Sequence, residues 1–372
     1  MTRHIYHLFL PGLLLPILFS ACNKSSNSST TPAPILTIKS INPTHAAVGD
    51  TVTITGTDFQ SALLDNVSVN GKTATVISAT ATQLQITVPS LCGTGTITVA
   101  AGGNTVSGPI FTYDTTYALT TFATGLYLPQ YLTMDAAGNL YVTNFGDHSV
   151  VKISSTGTVT TFLSGLLEPT GIMIDGNNNL YIAINSPTNT SAILRATPAA
   201  TVDTFAQFTG FVYGLTIDIG GNLYAANSIL GAITKITSSG TATTFATGMP
   251  SISDIAVSNG GNLYATGQTN GSIYRITSTG VVTNIKSGFN FGQANGIVLD
   301  NNDDIFVTII GVNPLGQLNT ITEMDGSGNI STVTAGLDIP CGLIRDPGGN
   351  FYIVNQVTGN TSVGTIAKLT AL

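Results

Sequence analysis

The chain has few of the residues on which catalytic and metal sites usually depend. It contains no tryptophan, three cysteines and four histidines, and only 8% of its 372 residues are charged. Only one histidine, His148, follows residue 113. A single histidine cannot build a multi-histidine zinc site. The cysteines lack the spacing of a metal site or of a disulfide framework, so neither is expected.

Positive charge is also scarce. The chain has 11 lysines and arginines against 18 aspartates and glutamates, a net charge of −7. No segment clusters enough basic residues to neutralise phosphates, so we expect no nucleic-acid partner. Tryptophan, the usual stacking residue for sugars, is absent, but tyrosine also joins an apolar ring to a polar tip and can replace it.

The N-terminus predicts export and a lipid anchor. Arg3 precedes an apolar run over residues 8–19 that is too short to span a bilayer, and residues 1–21 therefore indicate a signal peptide. Residues 19–22, Phe-Ser-Ala-Cys, resemble the bacterial lipobox. The resemblance implies acylation of Cys22, and hence a membrane partner and an outer-membrane protein that faces the cell surface or the periplasm. The alternative is an ordinary secreted protein.

Residues 22–34 are rich in serine, threonine, asparagine and proline and predict a flexible tether. Residues 35–113 then show period-two alternation typical of half-buried strands, as in Leu84-Gln-Ile86-Thr-Val88. The opening Ile38-Lys-Ser-Ile41-Asn-Pro and the later Gly49-Asp-Thr-Val resemble an IPT/TIG domain. That resemblance implies an immunoglobulin-like β-sandwich that acts as a spacer or interaction module.

The rest of the chain, residues 114–372, is built from six copies of one unit. Each copy contains an Asp-x-x-Gly-Asn type of turn followed by an apolar residue and an aromatic residue, although the fourth copy begins with Ser258 and the fifth has Asp304 in place of the asparagine. The six signatures occupy residues 135–141, 175–181, 218–224, 258–264, 300–306 and 346–352. They recur every roughly 40–46 residues, the period of four-stranded propeller blades.

The ends of this region predict how the ring closes. The last unit has only three strands, whereas residues 117–122 match the fourth strands at residues 157–162 and 240–245. Pairing this early strand with the last blade would leave no open sheet edge. The predicted fold is therefore all-β, an immunoglobulin-like sandwich followed by a six-bladed propeller closed by an N-terminal strand.

The units resemble NHL repeats, most clearly at Glu168-Pro-Thr-Gly171-Ile-Met-Ile-Asp175. The resemblance implies a propeller but no particular activity, because such propellers serve as binding platforms and also as lyases and lactonases. Five of the seven propeller bases occupy one third-strand position, which indicates a scaffold role. The repeated turn aspartates are explained by hydrogen bonds to the turn backbone.

Catalysis has little support in the residues. Calcium needs only oxygen ligands, so a calcium-dependent lactonase is the alternative that histidine scarcity does not exclude. The first axial positions of the six inner strands offer a single charged side chain, Asp254. Cys341 lacks an obvious base nearby. We therefore expect no cofactor and no catalytic residue, with a hydrolase or lyase kept as the second hypothesis.

The leading hypothesis is a binding protein with a glycan or protein ligand. The loops that lead into the inner strands and those that join second to third strands vary from blade to blade, and variation on a repeat scaffold marks where function can be grafted. The predicted ligand-binding residues are Tyr127, Tyr131, Asn144, Phe145, His148, Glu168, Phe211, Tyr213, Asn227, Asp254, Asn295 and Asn355. The expected ligand position is over the propeller axis.

Overall fold

A computed structural model of the protein describes residues 35–60, 66–269, 271–287, 291–312, 317–356 and 363–372. The predicted signal peptide, Cys22 and the whole of the predicted tether lie outside the described residues. The described residues form β-strands together with one short 3-10 helix at Phe145–Asp147. The predicted all-β class is confirmed.

The N-terminal domain contains eight strands among the described residues. They are β1 (Thr37–Asn42), β2 (His45–Ala47), β3 (Thr51–Thr57), β4 (Asn66–Val69), β5 (Lys72–Thr80), β6 (Gln83–Thr87), β7 (Gly95–Ala101) and β8 (Asn104–Asp114). Their hydrogen-bonded order is β1-β3-β6-β5-β4-β7-β8-β2. In β5, Ala74 pairs with β4, whereas the next residue, Thr75, pairs with β6. The strand therefore passes from one sheet of the sandwich to the other.

The core of the sandwich follows from the alternation in these strands. Successive strand side chains point to opposite faces, so every second residue enters the space between the sheets. Val52 and Ile54 from β3 meet Ile97 and Val99 from β7 around Phe111, and all five are fully buried. The Ig-like interpretation of this segment is confirmed.

The propeller region begins with β9 (Tyr117–Tyr127). Blade 1 comprises β10 (Pro129–Met134), β11 (Leu140–Asn144), β12 (Ser149–Ile153) and β13 (Val159–Ser164), and blade 2 comprises β14 (Pro169–Ile174), β15 (Leu180–Asn185), β16 (Thr190–Ala196) and β17 (Val202–Thr209). Blade 3 comprises β18 (Val212–Ile217), β19 (Leu223–Asn227), β20 (Ala232–Ile236) and β21 (Ala242–Thr247), and blade 4 comprises β22 (Ile252–Val257), β23 (Leu263–Gly267), β24 (Ser272–Ile276) and β25 (Val282–Lys286). Blade 5 comprises β26 (Phe291–Leu299), β27 (Ile305–Val312), β28 (Leu318–Met324) and β29 (Ile330–Thr334), and blade 6 contains β30 (Ile339–Arg345), β31 (Phe351–Gln356) and β32 (Val363–Ala371).

The described strands of this region form six four-stranded antiparallel sheets, which confirms the six-bladed propeller. Each inner strand contacts the next, and β10 also contacts β30, so the inner strands form a closed ring. In the sixth sheet the order is β30-β31-β32-β9, and β9 pairs with β32 from Tyr117↔Ala371 to Val363↔Tyr127. The first strand of the region thus lies beside the last.

The repeated turn owes its shape to its aspartate. Asp135 Oδ1 accepts hydrogen bonds from the backbone N–H groups of Ala137 at 3.0 Å and Asn139 at 2.8 Å. Gly138 takes a φ of 79°, which glycine adopts without strain. Equivalent aspartate bonds occur in blades 2, 3, 5 and 6. The turn aspartates are thus used within the turns themselves.

Four of the five repeated third-strand bases, Lys152, Arg195, Lys235 and Lys368, lie over aromatic rings. Lys235 Nζ lies 5.3 Å from the ring centroid of Tyr224 and 5.9 Å from that of Phe245. Blade 5 has Glu323 at this position, and Arg345 of blade 6 instead lies 5.7 Å from the ring of Phe306. The neighbouring blade therefore supplies the cation that blade 5 lacks.

The N-terminal domain meets the propeller beside blades 5 and 6. The Tyr113 hydroxyl donates to the carbonyl oxygen of Leu372, and the N–H of Leu372 donates to the carbonyl oxygen of Thr116 at 3.0 Å. A cleft of about 700 Å³ between the domains is lined by residues of both, including Asp114 and Asp300. Asp300 begins the turn of blade 5 that corresponds to the Asp-x-x-Gly-Asn turns of other blades, so the N-terminal domain lies at the turn side of the ring.

Candidate functional site

The two ends of the propeller are defined by its strand connections. At the loop end the inner strands begin and the second strands lead into the third strands, as at the register partners Pro129 and Asn144. At the turn end, the Asp-x-x-Gly-Asn turns connect the first strand of a blade to its second strand. In blade 1 this turn lies between the register partners Met134 and Leu140. The predicted ligand-binding residues all belong to the loop end or to the strand positions just below it.

Tyr131 fills the axis near the loop end. Its side chain is buried, with 5% exposure, and its hydroxyl lies 3.3 Å from the carbonyl oxygen and 3.2 Å from Oγ of Ser253. Ser253 belongs to blade 4, so this tyrosine reaches across the ring from blade 1. Burial, together with the nearby carboxylate of Asp254, raises the pKa of Tyr131 well above its ordinary value. The ring of Tyr131 is a structural part of the axis and is not displayed to solvent.

Asp254 lies beside this tyrosine and is also buried. Its Oδ1 accepts the N–H of Ile255 at 2.9 Å, and its Oδ2 accepts the N–H of Ile297 in blade 5 at 3.1 Å. Burial raises the pKa of Asp254 to about 7. A side chain at Gly214 would collide with this carboxylate, which explains the glycine there. Oδ1 is thus engaged within blade 4, and Oδ2 joins blade 4 to blade 5.

Two of the predicted asparagines stabilise loops. Asn144 Oδ1 accepts the N–H of Tyr127 at 2.6 Å, and its Nδ2 donates to Asp147 at 2.9 Å. Asn227 is fully buried and its Nδ2 donates to the carbonyl oxygen of Thr209 at 2.8 Å. Buried amides with satisfied hydrogen bonds contribute to loop geometry. Neither side chain presents its amide to a ligand.

The other two asparagines have similar surroundings. Asn295 Oδ1 accepts Ser253 Oγ at 2.7 Å and Gln268 Nε2 at 3.3 Å. Asn355 Oδ1 accepts the N–H of Asp338 at 2.9 Å. These bonds link residues that are far apart in the chain. The sequence did not distinguish an asparagine that binds a ligand at the surface from one that forms internal hydrogen bonds, because the same amide group serves both roles.

The remaining predicted residues lie at the surface of the loop end. Tyr127 is 40% exposed and His148 is exposed. Phe145, Glu168, Phe211 and Tyr213 are half-buried. The rings of Phe211 and Tyr213 form a tilted pair with centroids 5.0 Å apart. Among the described residues, this pair, Phe145 and Tyr127 contribute aromatic surface to the loop end.

Exposed aliphatic side chains that are not among the predicted ligand-binding residues add to that surface. Leu167 is 46%, Ile229 57%, Leu230 52% and Leu318 60% exposed, and all four lie in loops or strand starts of the loop end. The signal in the sequence was the pair of aliphatic residues in a short loop after Asn227. The turn end has exposed apolar residues as well, of which Ile219 is completely exposed.

A narrow cavity of about 210 Å³ follows the axis from Tyr131 and Asp254 towards the turn end. Its walls are mostly aliphatic, with Ile172, Leu215 and Ile297 among them. Across the described residues, no group of three or more histidines, cysteines, aspartates or glutamates is placed to hold a metal ion.

The two described cysteines, Cys92 and Cys341, are buried and unpaired with each other. Burial raises the pKa of the Cys341 thiol to about 12. Its Sγ lies 3.6 Å from the carbonyl oxygen of Ile339, to which it donates. Such a thiol stays protonated near neutral pH, and the thiolate is the nucleophilic form.

In the described part of the chain, no helix is long and apolar enough to cross a membrane.

Comparison with known proteins identifies the N-terminal domain and supports the propeller. The family model of the IPT/TIG domain matches residues 36–118, so the predicted IPT/TIG domain is confirmed. No match to a curated protein was found.

Solved structures resemble the chain over most of its length. A protein of unknown function from Bacteroides thetaiotaomicron VPI-5482 has a TM-score of 0.60 at 16% identity, over 91% of this chain and 98% of its own. An auxiliary nutrient binding protein from the same strain has a TM-score of 0.53 at 16% identity, over 90% and 97%. Virginiamycin B lyase from Staphylococcus aureus has a TM-score of 0.51 at 16% identity, over 70% and 100%. At such identities these likenesses establish the fold alone.

Proposed function

We propose that the protein is a lipid-anchored binding protein outside the cytoplasm, whose propeller recognises a glycan with its loop end. In this proposal residues 1–21 direct export, Cys22 carries the lipid, and residues 22–34 form a tether. Residues 35–113 act as a spacer, and residues 114–372 form the NHL-type propeller. The protein would be held at the outer membrane, on the cell surface or facing the periplasm.

The observation that carries this proposal is the position of the N-terminal domain. Tyr113 and Leu372 join the two domains at the turn side of blades 5 and 6. The N-terminal domain, which in this proposal connects the propeller to the anchor, therefore lies on the turn side of the ring, and the loop end is on the opposite side. A ligand that arrives from outside would meet the loop end first, where Tyr127, Phe211 and Tyr213 are accessible.

The chemistry of the axis favours binding over catalysis. Asp254 is the one carboxylate among the six first axial positions, and backbone amides occupy both of its oxygens. General acid-base catalysis requires a group within hydrogen-bond reach of a bound substrate. The structural resemblance to an auxiliary nutrient binding protein is in keeping with a nutrient glycan as ligand.

The test is a binding screen of the full-length protein against an array of neutral and acidic polysaccharides. Binding to at least one polysaccharide, without its degradation over several hours, is the expected result. Release of products would support the alternative hydrolase or lyase. Binding only to another protein, with no polysaccharide bound, would favour an interaction scaffold and overturn the glycan proposal.

The anchor is tested separately with Cys22→Ser. Stable membrane attachment needs two or more buried acyl chains, so loss of the acylated cysteine should release the protein from membranes. Metabolic labelling with a fatty acid analogue should mark the wild-type protein and leave the variant unmarked. Equal labelling of both would show that Cys22 is not the acylation site.

A further inference from the structure

A groove at the loop end of blade 2 has the size and the chemistry of a ligand site. We call it the blade-2 groove, and it is bordered by Leu167, Ile184, Ser186, Thr190, Ala192 and Gln207. Its volume is about 470 Å³, within the range of roughly 300–1,000 Å³ that small-molecule sites occupy. It lies away from the axis, which the buried side chain of Tyr131 occupies near the loop end.

The floor of the groove is aliphatic. Ile184 pairs with Ala192, and Ala192 pairs with Gln207, so these three residues are cross-strand neighbours on β15, β16 and β17. Ala192 is the smallest of the three and leaves room above the sheet. Leu167, 46% exposed, borders the same space. Such a floor offers an apolar surface to the C–H face of a sugar ring.

The rim of the groove carries uncharged hydrogen-bonding groups. Ser186 Oγ lies 2.9 Å from Thr188 Oγ1, which lies 3.3 Å from Thr190 Oγ1. Hydroxyl groups can both donate and accept, as can the amide of Gln207. Gln207 is exposed, and its amide makes no hydrogen bond to another described residue. The rim can therefore donate hydrogen bonds to ligand hydroxyls and can also accept hydrogen bonds from them.

The residues behind the rim hold it in place. Asn185 Nδ2 donates to Thr170 Oγ1 at 2.9 Å and to the carbonyl oxygen of Val212 at 3.1 Å. Ser191 Oγ donates to Asn185 Oδ1 at 2.9 Å. These buried bonds tie blade 2 to blade 3. A site whose walls are fixed before binding loses less entropy on ligand binding.

Charge decides the class of ligand. Among the described residues that line the groove, none is charged. An ionic ligand would lose hydration there without gaining a counter-charge, which is unfavourable. We infer that the blade-2 groove binds a neutral oligosaccharide, with the sugar on Leu167 and Ile184 and its hydroxyls at Gln207 and the Ser186–Thr190 rim. This inference rests on the proposed glycan-binding function and gives it a site.

The experiment is calorimetric titration of the full-length protein with four neutral hexasaccharides, from an α-glucan, a β-glucan, a xylan and a mannan. At least one should bind to the wild-type protein. Gln207→Ala removes the free amide and should weaken binding by about tenfold, and Ala192→Leu should fill the groove and weaken it by more than about tenfold. Thr247→Ala changes the corresponding exposed position of blade 3 and should alter affinity by less than about twofold.

The outcomes separate the groove from the wider function. Circular dichroism and thermal unfolding must first show that each variant is folded like the wild type. If a hexasaccharide binds to the wild type and both groove variants bind it with the same affinity, the blade-2 groove is not the binding site. The proposed glycan-binding function would still hold in that case. Tighter binding of uronic-acid oligosaccharides than of neutral ones would overturn the assigned ligand class. Absence of any saccharide binding would overturn both the groove and the proposed function.

Discussion

The two ends of the propeller place the same residue type in opposite surroundings. At the turn end, Asp218 is only half-buried and accepts hydrogen bonds from Asn222 and from the hydroxyl of Tyr224 at 3.2 Å. Burial alone would raise the pKa of Asp218, but these hydrogen bonds together lower it. Near the loop end, Asp254 is fully enclosed and burial raises its pKa to about 7.

This difference in surroundings reflects the two roles of the ends, with the turn end as the repeated scaffold and the loop end as the variable surface. The turn end repeats one self-contained hydrogen-bonding unit, so each blade can form its turn without help from its neighbours. At the loop end, side chains of different blades depend on one another, as Tyr131 and Ser253 do across the ring. The exposed residues there are free to differ because the internal ones already hold the blades together.

The largest effect is expected when the ring that supports both ends is opened. Deleting residues 117–122 removes most of the strand that pairs with β32 and leaves unpaired backbone groups along its edge. We expect loss of soluble folded protein, measured by soluble yield and thermal unfolding. Leu119→Ala, on the same strand but 46% exposed, is the control and should change stability by less than about 0.5 kcal/mol. A soluble deletion variant with an unchanged midpoint would show that β9 does not close the ring.

The second prediction concerns pH dependence at the loop end. Because the pKa of Asp254 is raised in the folded state, the folded protein binds more protons than the unfolded chain between about pH 4 and 7. The contribution of Asp254 to stability is present below pH 4 and is lost as the pH rises through about 7. The loss is on the order of a few kcal/mol.

Unfolding of the wild type and of Asp254→Asn should be followed across pH 4 to 8. The asparagine variant should lose less stability over this interval than the wild type, because the titrating group is absent. Identical pH profiles would mean that Asp254 is not the group responsible. Asp218→Asn serves as the comparison from the turn end, where the lowered pKa gives stability that is lost only in more acidic solution.

The third prediction concerns one turn. Asp218→Ala removes the acceptor for the Asn222 N–H and should cost about 1 kcal/mol of unfolding free energy, since the site is partly exposed. Chemical denaturation measures this loss. Saccharide affinity should stay the same, because the turn lies at the end remote from the loops. A drop in affinity with unchanged stability would place the ligand at the turn end instead.

A small effect, on saccharide affinity and not on stability, is expected at the exposed aromatic pair of the loop end. Phe211→Ala and Tyr213→Ala should each weaken binding of an array-identified saccharide by about 0.5–1.5 kcal/mol if the ligand extends from the blade-2 groove onto this pair. Affinities by titration provide the measurement. Ile219→Ala, at a fully exposed position of the turn end, is the matched control. Affinity unchanged in both aromatic variants would confine the ligand to the other loops.

The sequence alone predicted the blades. The turn at residues 135–139 contains its own hydrogen-bond acceptor, and the strands on either side alternate or run apolar, so each unit carries the information for its local structure. The recurrence of six such units then predicted the number of blades, and alternation around Leu84 and Ile86 predicted the sandwich. These features depend on residues close together in the chain.

The tertiary structure decided how the loop-end residues are used. Tyr131 and Asp254 had the sequence features of ligand-binding residues, yet the hydroxyl of Tyr131 meets Ser253 across the ring and Asp254 joins two blades. Arg345 replaces the cation missing from blade 5, although it lies in another blade. Each of these contacts joins residues of different blades, which come together only when the ring closes. A local pattern cannot encode such contacts, because it does not state which face of a blade meets its neighbour.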